Sequence, residues 1–252
     1  MNVVVNDLMT DYQKIGRGQK ILVFLHGWGD TSKTFSKLVE QLKNDYTILA
    51  LDLPGFGGTQ APPTAWGLSD YANFIKAWLE KTGVNNIYAL VGHSYGGAVA
   101  IAGLSSGALK ADKLILIASA GIRGKNKLRG PVLKTITKPA KLALFLLPKQ
   151  TRKRLRAKFY SSIGSDIALL PHMEPTFKRI ISEDIRTKAK RITVPTLLIY
   201  GTDDKETPPE DGRILNRAIA GSRLELIQGA GHFLHQGSAN HVDRLVTEFL
   251  NA

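Results

Sequence analysis

The 252-residue sequence contains no cysteine, which removes three kinds of chemistry. Disulfide bonds, a thiol nucleophile and thiolate ligands for a metal ion are all excluded. Long apolar segments are also missing, since the apolar run at 142–147 is far shorter than the roughly 20 residues that span a bilayer. The first twenty residues lack the apolar stretch of a secretion signal. We therefore expect a cytoplasmic protein.

Acidic residues are missing from one long segment. Residues 113–165 contain no Asp or Glu but hold 14 of the 34 Lys and Arg residues. The net charge of +13 therefore belongs to this segment, because the rest of the chain carries 20 basic and 21 acidic residues. Two interpretations remain open: a solvated basic face, or a cationic rim that contacts anionic lipid surfaces or substrates. Nucleic acid is not an expected partner, since no recognised binding module is present.

Short apolar runs alternate with amphipathic helical patterns along the rest of the chain. A short opening strand pair is expected at 3–8 and 12–15, turning through Gly16 and Gly18. Alternating strands and helices indicate an α/β protein with a mostly parallel, twisted sheet flanked by helices. The main strands are predicted at 20–25, 46–51, 87–91, 113–118, 194–200 and 223–227.

The alternation stops after residue 121. The basic segment that follows is interrupted by prolines, and we expect it to be helical. We therefore predict a helical cap or lid insertion at 122–190. It would divide the core into a first part at 1–121 and a second part at 191–252.

One glycine-rich turn joins a predicted strand to a predicted helix: Gly92-His93-Ser94-Tyr95-Gly96. It fits G-x-S-x-G, in which a sharp strand-to-helix turn exposes the hydroxyl of the middle residue. Glycine is needed on either side because a side chain there would collide where strand and helix cross. Taken alone, the pattern also fits an ordinary serine in a glycine-rich turn.

Acyl transfer at a serine requires a base, a carboxylate that orients the base, and N–H donors for the oxyanion. Loops that follow parallel strands offer a candidate for each role. Ser94 is the candidate nucleophile and His232 the candidate base. Asp204 is the candidate carboxylate, with its neighbour Asp203 as the alternative.

The backbone N–H groups of Trp28 and Tyr95 are the candidate oxyanion hole, since Tyr95 directly follows the nucleophile. No spacing of His, Asp or Glu along the chain indicates a metal site, and no glycine-rich loop indicates a nucleotide site. We therefore expect no cofactor. The residues expected to surround the substrate are His26, Gly27, Phe233, Leu144 and Phe145.

With these motifs in this order, the chain resembles a lid-bearing member of the α/β-hydrolase superfamily over essentially its full length. The resemblance rests on ILVFLHGWGD, LDLPGFGGT, LVGHSYGGAVA, VPTLLIYGTDDKETP and GAGHFLH. In that family the acid lies three residues after a glycine and four before a proline, a spacing matched by Gly201, Asp204 and Pro208. The resemblance therefore favours Asp204. A serine nucleophile argues against the haloalkane dehalogenase and epoxide hydrolase branches, which use aspartate.

The resemblance implies a serine hydrolase that cleaves a small-molecule carboxylic ester. Two alternatives of the same fold are hydrolysis of a thioester and hydrolysis of the carbon–carbon bond of a vinylogous diketone. A further alternative is a non-catalytic protein that binds a ligand or a membrane. The complete set Ser94, His232 and Asp204 argues against it, since a pure binding protein needs none of the three. No oligomeric state follows from the sequence.

Overall fold

A computed structural model describes residues 1–123 and 170–252 of the chain, and its strands form one eight-stranded sheet. The strands are β1 (Asn2–Val5), β2 (Leu8–Ile15), β3 (Lys20–Leu25), β4 (Tyr46–Leu51), β5 (Ile87–His93), β6 (Ala111–Ile117), β7 (Thr196–Gly201) and β8 (Arg223–Ile227). Their order is β1-β2-β4-β3-β5-β6-β7-β8. The pairs β1–β2 and β2–β4 are antiparallel and the others are parallel. The predicted mostly parallel sheet is confirmed.

Helices cover both faces of the sheet, and the apolar side chains that they bury contribute to one core on each face. In the helix at 68–81, Tyr71, Phe74 and Trp78 are almost fully buried. The helices are α1 (Ser36–Leu42), α2 (Leu68–Lys81), α3 (Tyr95–Ser106), α4 (Glu174–Ile180), α5 (Arg186–Ala189), α6 (Pro209–Ala218), α7 (Leu234–Gly237) and α8 (Ala239–Asn251), with short 3-10 helices at Ser32–Phe35 and Pro171–Met173.

The turn of the opening strand pair differs from the prediction. Asn6 and Asp7 connect β1 to β2 with φ angles of 45° and 63°, so the turn does not run through Gly16 and Gly18. A two-residue hairpin turn with both φ angles positive matches the twist of its strands, and Asn and Asp tolerate this region. The signal was present in the sequence as Asn-Asp between two apolar runs.

The described end of the predicted cap packs on the core. Met173 and Ile185 belong to the buried core that also contains α2 and α3. The backbone N–H of Ile185 donates to the carbonyl oxygen of Gly121 at 3.1 Å, and the N–H of Leu68 donates to Glu183 Oε1 at 2.8 Å. These contacts fix 170–189 against the sheet. The cap at 122–190 stays a prediction, because most of it lies outside the described residues.

None of the helices in the described ranges combines the length and the apolar character that crossing a bilayer requires.

Candidate active site

The turn after β5 holds Ser94 in a backbone conformation that non-glycine residues rarely adopt, with φ 50° and ψ −116°. Strand and helix cross so closely here that a Cβ on Gly92 would lie 2.6 Å from Gly97 Cα. A Cβ on Gly96 would lie 2.1 Å from the carbonyl oxygen of Leu25. The sharp turn predicted from G-x-S-x-G is therefore present, and strain of this kind clusters at functional sites.

Three side chains from different loops form one hydrogen-bonded chain. His232 Nε2 lies 3.0 Å from Ser94 Oγ, and His232 Nδ1 lies 2.8 Å from Asp204 Oδ2. The carboxylate can only accept, so Nδ1 carries a proton and Nε2 is left to accept one from the serine hydroxyl. The Asp204 side chain is fully buried and that of His232 is 8 % exposed. We call these three residues the candidate triad.

The carboxylate of Asp204 is held by the loop that follows it. Its Oδ1 accepts hydrogen bonds from the backbone N–H groups of Glu206 and Thr207, at 2.8 and 2.9 Å. The Thr207 hydroxyl lies 2.7 Å from Oδ2. Burial acts to raise the pKa of Asp204, but the bonds from His232 and Thr207 outweigh it and leave the pKa below its usual value. The carboxyl group is therefore ionised at neutral pH.

The structure separates the two carboxylate candidates. Asp203 is exposed, and its Oδ1 accepts a hydrogen bond from the neighbouring hydroxyl of Thr202 at 3.2 Å. Asp204, in contrast, points at His232. The sequence analysis missed Thr207, although a hydroxyl residue three positions after the acid was visible in Asp204-Lys205-Glu206-Thr207.

One candidate oxyanion donor, Tyr95, directly follows Ser94, and the other, Trp28, lies in the loop after β3, which approaches Ser94. Within the described ranges, the backbone N–H groups of Trp28 and Tyr95 have no hydrogen-bond acceptor. Tyr95 begins α3, and the first N–H groups of a helix have no partner within it. A Cβ on Gly27 would lie 3.4 Å from Ser94 Cβ, so glycine allows the two loops to approach each other.

His26 orders the oxyanion loop from inside the protein. Its ring is fully buried, its Nδ1 lies 2.7 Å from the carbonyl oxygen of Gly27, and its Nε2 accepts from the N–H of Leu53 at 2.9 Å. Burial lowers the pKa of His26, in keeping with a neutral ring that donates from Nδ1 and accepts at Nε2. The side chain therefore holds two loops together, and its ring presents no surface to a substrate in this conformation.

Aromatic side chains surround Trp28. The rings of Phe56 and Phe177 pack edge-on against it, with centroids 4.9 and 5.0 Å away, and the sequence analysis missed both. Phe233, a predicted pocket residue, is 47 % exposed next to His232. The other two predicted pocket residues, Leu144 and Phe145, lie outside the described residues.

One carboxylate stands close to the reacting end of His232. Glu206 Oε2 lies 3.4 Å from Nε2, and its side chain is 50 % exposed. The sequence analysis did not single out this residue.

Comparisons with known proteins agree with this architecture. The chain matches the alpha/beta hydrolase family over residues 22–247. It is 27% identical over 262 residues to 2-hydroxy-6-oxononadienedioate/2-hydroxy-6-oxononatrienedioate hydrolase of Klebsiella pneumoniae, covering 93% of this chain and 88% of that protein.

Two solved structures share the fold. The enol-lactonase from Burkholderia xenovorans LB400 has a TM-score of 0.79 at 20% identity, with 100% of both chains covered. The esterase from Exiguobacterium antarcticum has a TM-score of 0.76 at 22% identity, covering 100% of this chain and 99% of that one. With the family match extending over most of its length, the chain belongs to the alpha/beta hydrolase family.

Proposed function

We propose that this hydrolase cleaves carboxylic esters of small molecules through Ser94, His232 and Asp204. The observation that carries the proposal is the continuous hydrogen-bonded chain from Asp204 Oδ2 through His232 to Ser94 Oγ, at 2.8 and 3.0 Å. A nucleophile within hydrogen-bond reach of a base, which a third group orients, is the geometry of an activated serine.

In the proposed mechanism, Ser94 Oγ attacks the ester carbonyl carbon while His232 Nε2 takes the hydroxyl proton. Asp204 holds the imidazole in the required tautomer and stabilises the imidazolium ion. The N–H groups of Trp28 and Tyr95 bind the oxyanion. His232 then gives its proton to the leaving alcohol, and afterwards activates a water molecule that releases the acid from Ser94.

Apolar side chains next to the candidate triad favour a substrate with an apolar part. The aromatic rings of Trp28, Phe177 and Phe233 offer apolar surface to an acyl chain or an alcohol group.

A second candidate function is hydrolysis of a carbon–carbon bond. The relative from K. pneumoniae, a hydrolase of 2-hydroxy-6-oxononadienedioate, favours it. Function is set by the site and not by the fold, so at 27% identity we keep the carbon–carbon reaction as the second choice.

A substrate panel separates the two reactions. We would measure kcat/KM for p-nitrophenyl esters from acetate to laurate and for 2-hydroxy-6-oxononadienedioate. We expect turnover of the neutral esters, with little or none of the dienedioate. Cleavage of the dienedioate at a higher kcat/KM than every ester would replace ester hydrolysis with the carbon–carbon reaction.

A further inference from the structure

Asp30, His93 and His235 form a cluster beside the candidate triad that plays no part in the proposed reaction. One metal-ligating atom from each residue lies within 4.8 Å of the other two. The rings of His93 and His235 have centroids 4.4 Å apart, and each residue is 1 % exposed. No spacing in the sequence indicates this cluster, because its members come from three segments far apart in the chain.

Each member of the cluster carries one buried polar atom that lacks a hydrogen-bond partner within the described part of the chain. The atoms are Asp30 Oδ2, His93 Nδ1 and His235 Nδ1. A buried polar atom without a partner destabilises the fold, and native proteins have few of them. Three such atoms in one place therefore indicate that the cluster binds an ion or a water molecule.

The other nitrogen of each imidazole is already engaged. His93 Nε2 donates to the backbone carbonyl oxygen of His232 at 3.1 Å, which leaves a lone pair on Nδ1. His235 Nε2 lies 2.8 Å from Thr34 Oγ1, and donation of its proton there leaves the same lone pair. A histidine that ligates a metal ion commonly donates its second N–H to a carbonyl, a carboxylate or water in this way.

Two neutral imidazole nitrogens and one carboxylate oxygen are a ligand set that Zn²⁺ and other first-row transition cations take. In tetrahedral coordination, ligands at about 2.1 Å from the ion lie about 3.4 Å from one another. Binding of an ion would therefore draw together the three ligand atoms, which lie within 4.8 Å of one another. Glycine at position 27 leaves room, since a Cβ there would lie 2.9 Å from His93 Nδ1. A surface groove lined by Gly29, Asp30 and Thr31 provides an entry path.

We propose that Asp30, His93 and His235 bind one divalent transition cation, with Zn²⁺ as the reference ion. The ion would join three segments that adjoin the candidate active site. Asp30 lies two residues after Trp28, His93 directly precedes Ser94, and His235 lies three residues after His232. The ion is therefore a positioning element and not a reactant. A buried water molecule is the competing occupant, because it also satisfies three polar atoms.

The test is calorimetric titration of the full chain, free of any affinity tag and depleted of metal, with ZnCl₂. We expect one site per chain. Asp30→Asn and His235→Gln should each weaken binding by at least about 100-fold, and Thr34→Val by about 10- to 100-fold as an outer hydrogen-bonding partner. Binding of Co²⁺ should give the visible absorption of a four-coordinate ion in the native protein and not in Asp30→Asn.

Control variants separate this cluster from other histidines. His172 and His241 are exposed, so His172→Gln and His241→Gln should bind Zn²⁺ as the native protein does. His232→Gln should also bind it, which excludes the candidate triad as the site. Asp30→Asn is nearly isosteric, and its circular dichroism spectrum shows whether it is folded.

Absence of saturable Zn²⁺ binding by the native protein would overturn the proposal and leave water as the occupant. Equal binding by native protein, Asp30→Asn and His235→Gln would also overturn it, since the ion would then be held elsewhere.

Discussion

His93 Nε2 lies 3.1 Å from the backbone carbonyl oxygen of His232, so the residue before the candidate nucleophile holds the loop that carries the candidate base. Burial, together with the nearby His235 and His232, keeps the pKa of His93 well below its usual range. The ring is therefore neutral, and its single N–H is committed to this contact. The distance between Ser94 and His232 depends on main-chain position as well as on side-chain contacts.

The two neighbouring aspartates should respond very differently to loss of charge. Asp204→Asn keeps the shape of the side chain but no longer fixes the tautomer of His232, so kcat should fall by about 10⁴-fold. Asp203→Asn is the matched control, because that side chain is exposed and lies outside the hydrogen-bonded chain. It should retain kcat within about twofold. Equal losses in the two variants would contradict the assignment of Asp204.

Thr207 should matter through its hydroxyl group. Thr207→Val removes the donor that lies 2.7 Å from Asp204 Oδ2, and hydrogen bonds to charged groups contribute about 1.5–3 kcal/mol. We expect the free energy of unfolding in urea to fall by that amount. Thr207→Ser keeps the hydroxyl and loses one methyl group, worth about 0.8 kcal/mol. A larger loss in Thr207→Ser than in Thr207→Val would show that packing of the methyl group is the more important contact.

Because Asp204 is ionised in the folded protein, the free energy of unfolding should depend on pH in the acid range. Its folded-state pKa is lowered below the usual 3.8, so the ionised carboxylate stabilises the fold above that pH. This contribution is lost as the pH falls through the lowered folded-state pKa. The difference in unfolding free energy between the native protein and Asp204→Asn should therefore be larger at pH 7 than near pH 3. Urea titrations at the two pH values measure this difference. A difference that is larger near pH 3 than at pH 7 would contradict the prediction.

The crossing of β5 and α3 should tolerate no side chain at Gly96. In Gly96→Ala, the new Cβ would lie 2.1 Å from the carbonyl oxygen of Leu25. Overpacking of this kind should lower the free energy of unfolding by at least about 1–3 kcal/mol. Gly237 is the control, since a Cβ there meets nothing within 4 Å, and Gly237→Ala should change stability by less than about 0.5 kcal/mol. Thermal and urea unfolding of both variants provide the measurement.

Strands and turns that depend on a short stretch of residues could be predicted from the sequence. Apolar runs such as 20–25 and 46–51 became buried strands, because strands covered on both faces are apolar throughout. The G-x-S-x-G turn identified Ser94 because glycine is required where strand and helix cross. The resemblance to the α/β-hydrolase superfamily, through the spacing of Gly201, Asp204 and Pro208, favoured the aspartate that contacts His232.

Contacts between segments that are far apart in the chain could not be predicted from local sequence patterns. Asp30, His93 and His235 share no spacing: Asp30 follows β3, His93 ends the adjacent strand β5, and His235 lies in α7, so only the folded chain brings them together. The aromatic neighbours of Trp28 depend on how 170–189 packs against the core. The hairpin turn at Asn6 and Asp7 was encoded locally, but the glycines at 16 and 18 gave a competing signal.

The most direct test of the central claim is covalent labelling of the native protein with a fluorophosphonate, followed by mass spectrometry of its peptides. An activated serine should form one adduct per chain, located at Ser94. Ser94→Ala should abolish the adduct, and Ser106→Ala, an exposed serine at the end of α3, should retain it. An adduct on another residue, or no adduct on the native protein, would contradict the assignment of Ser94 as an activated nucleophile.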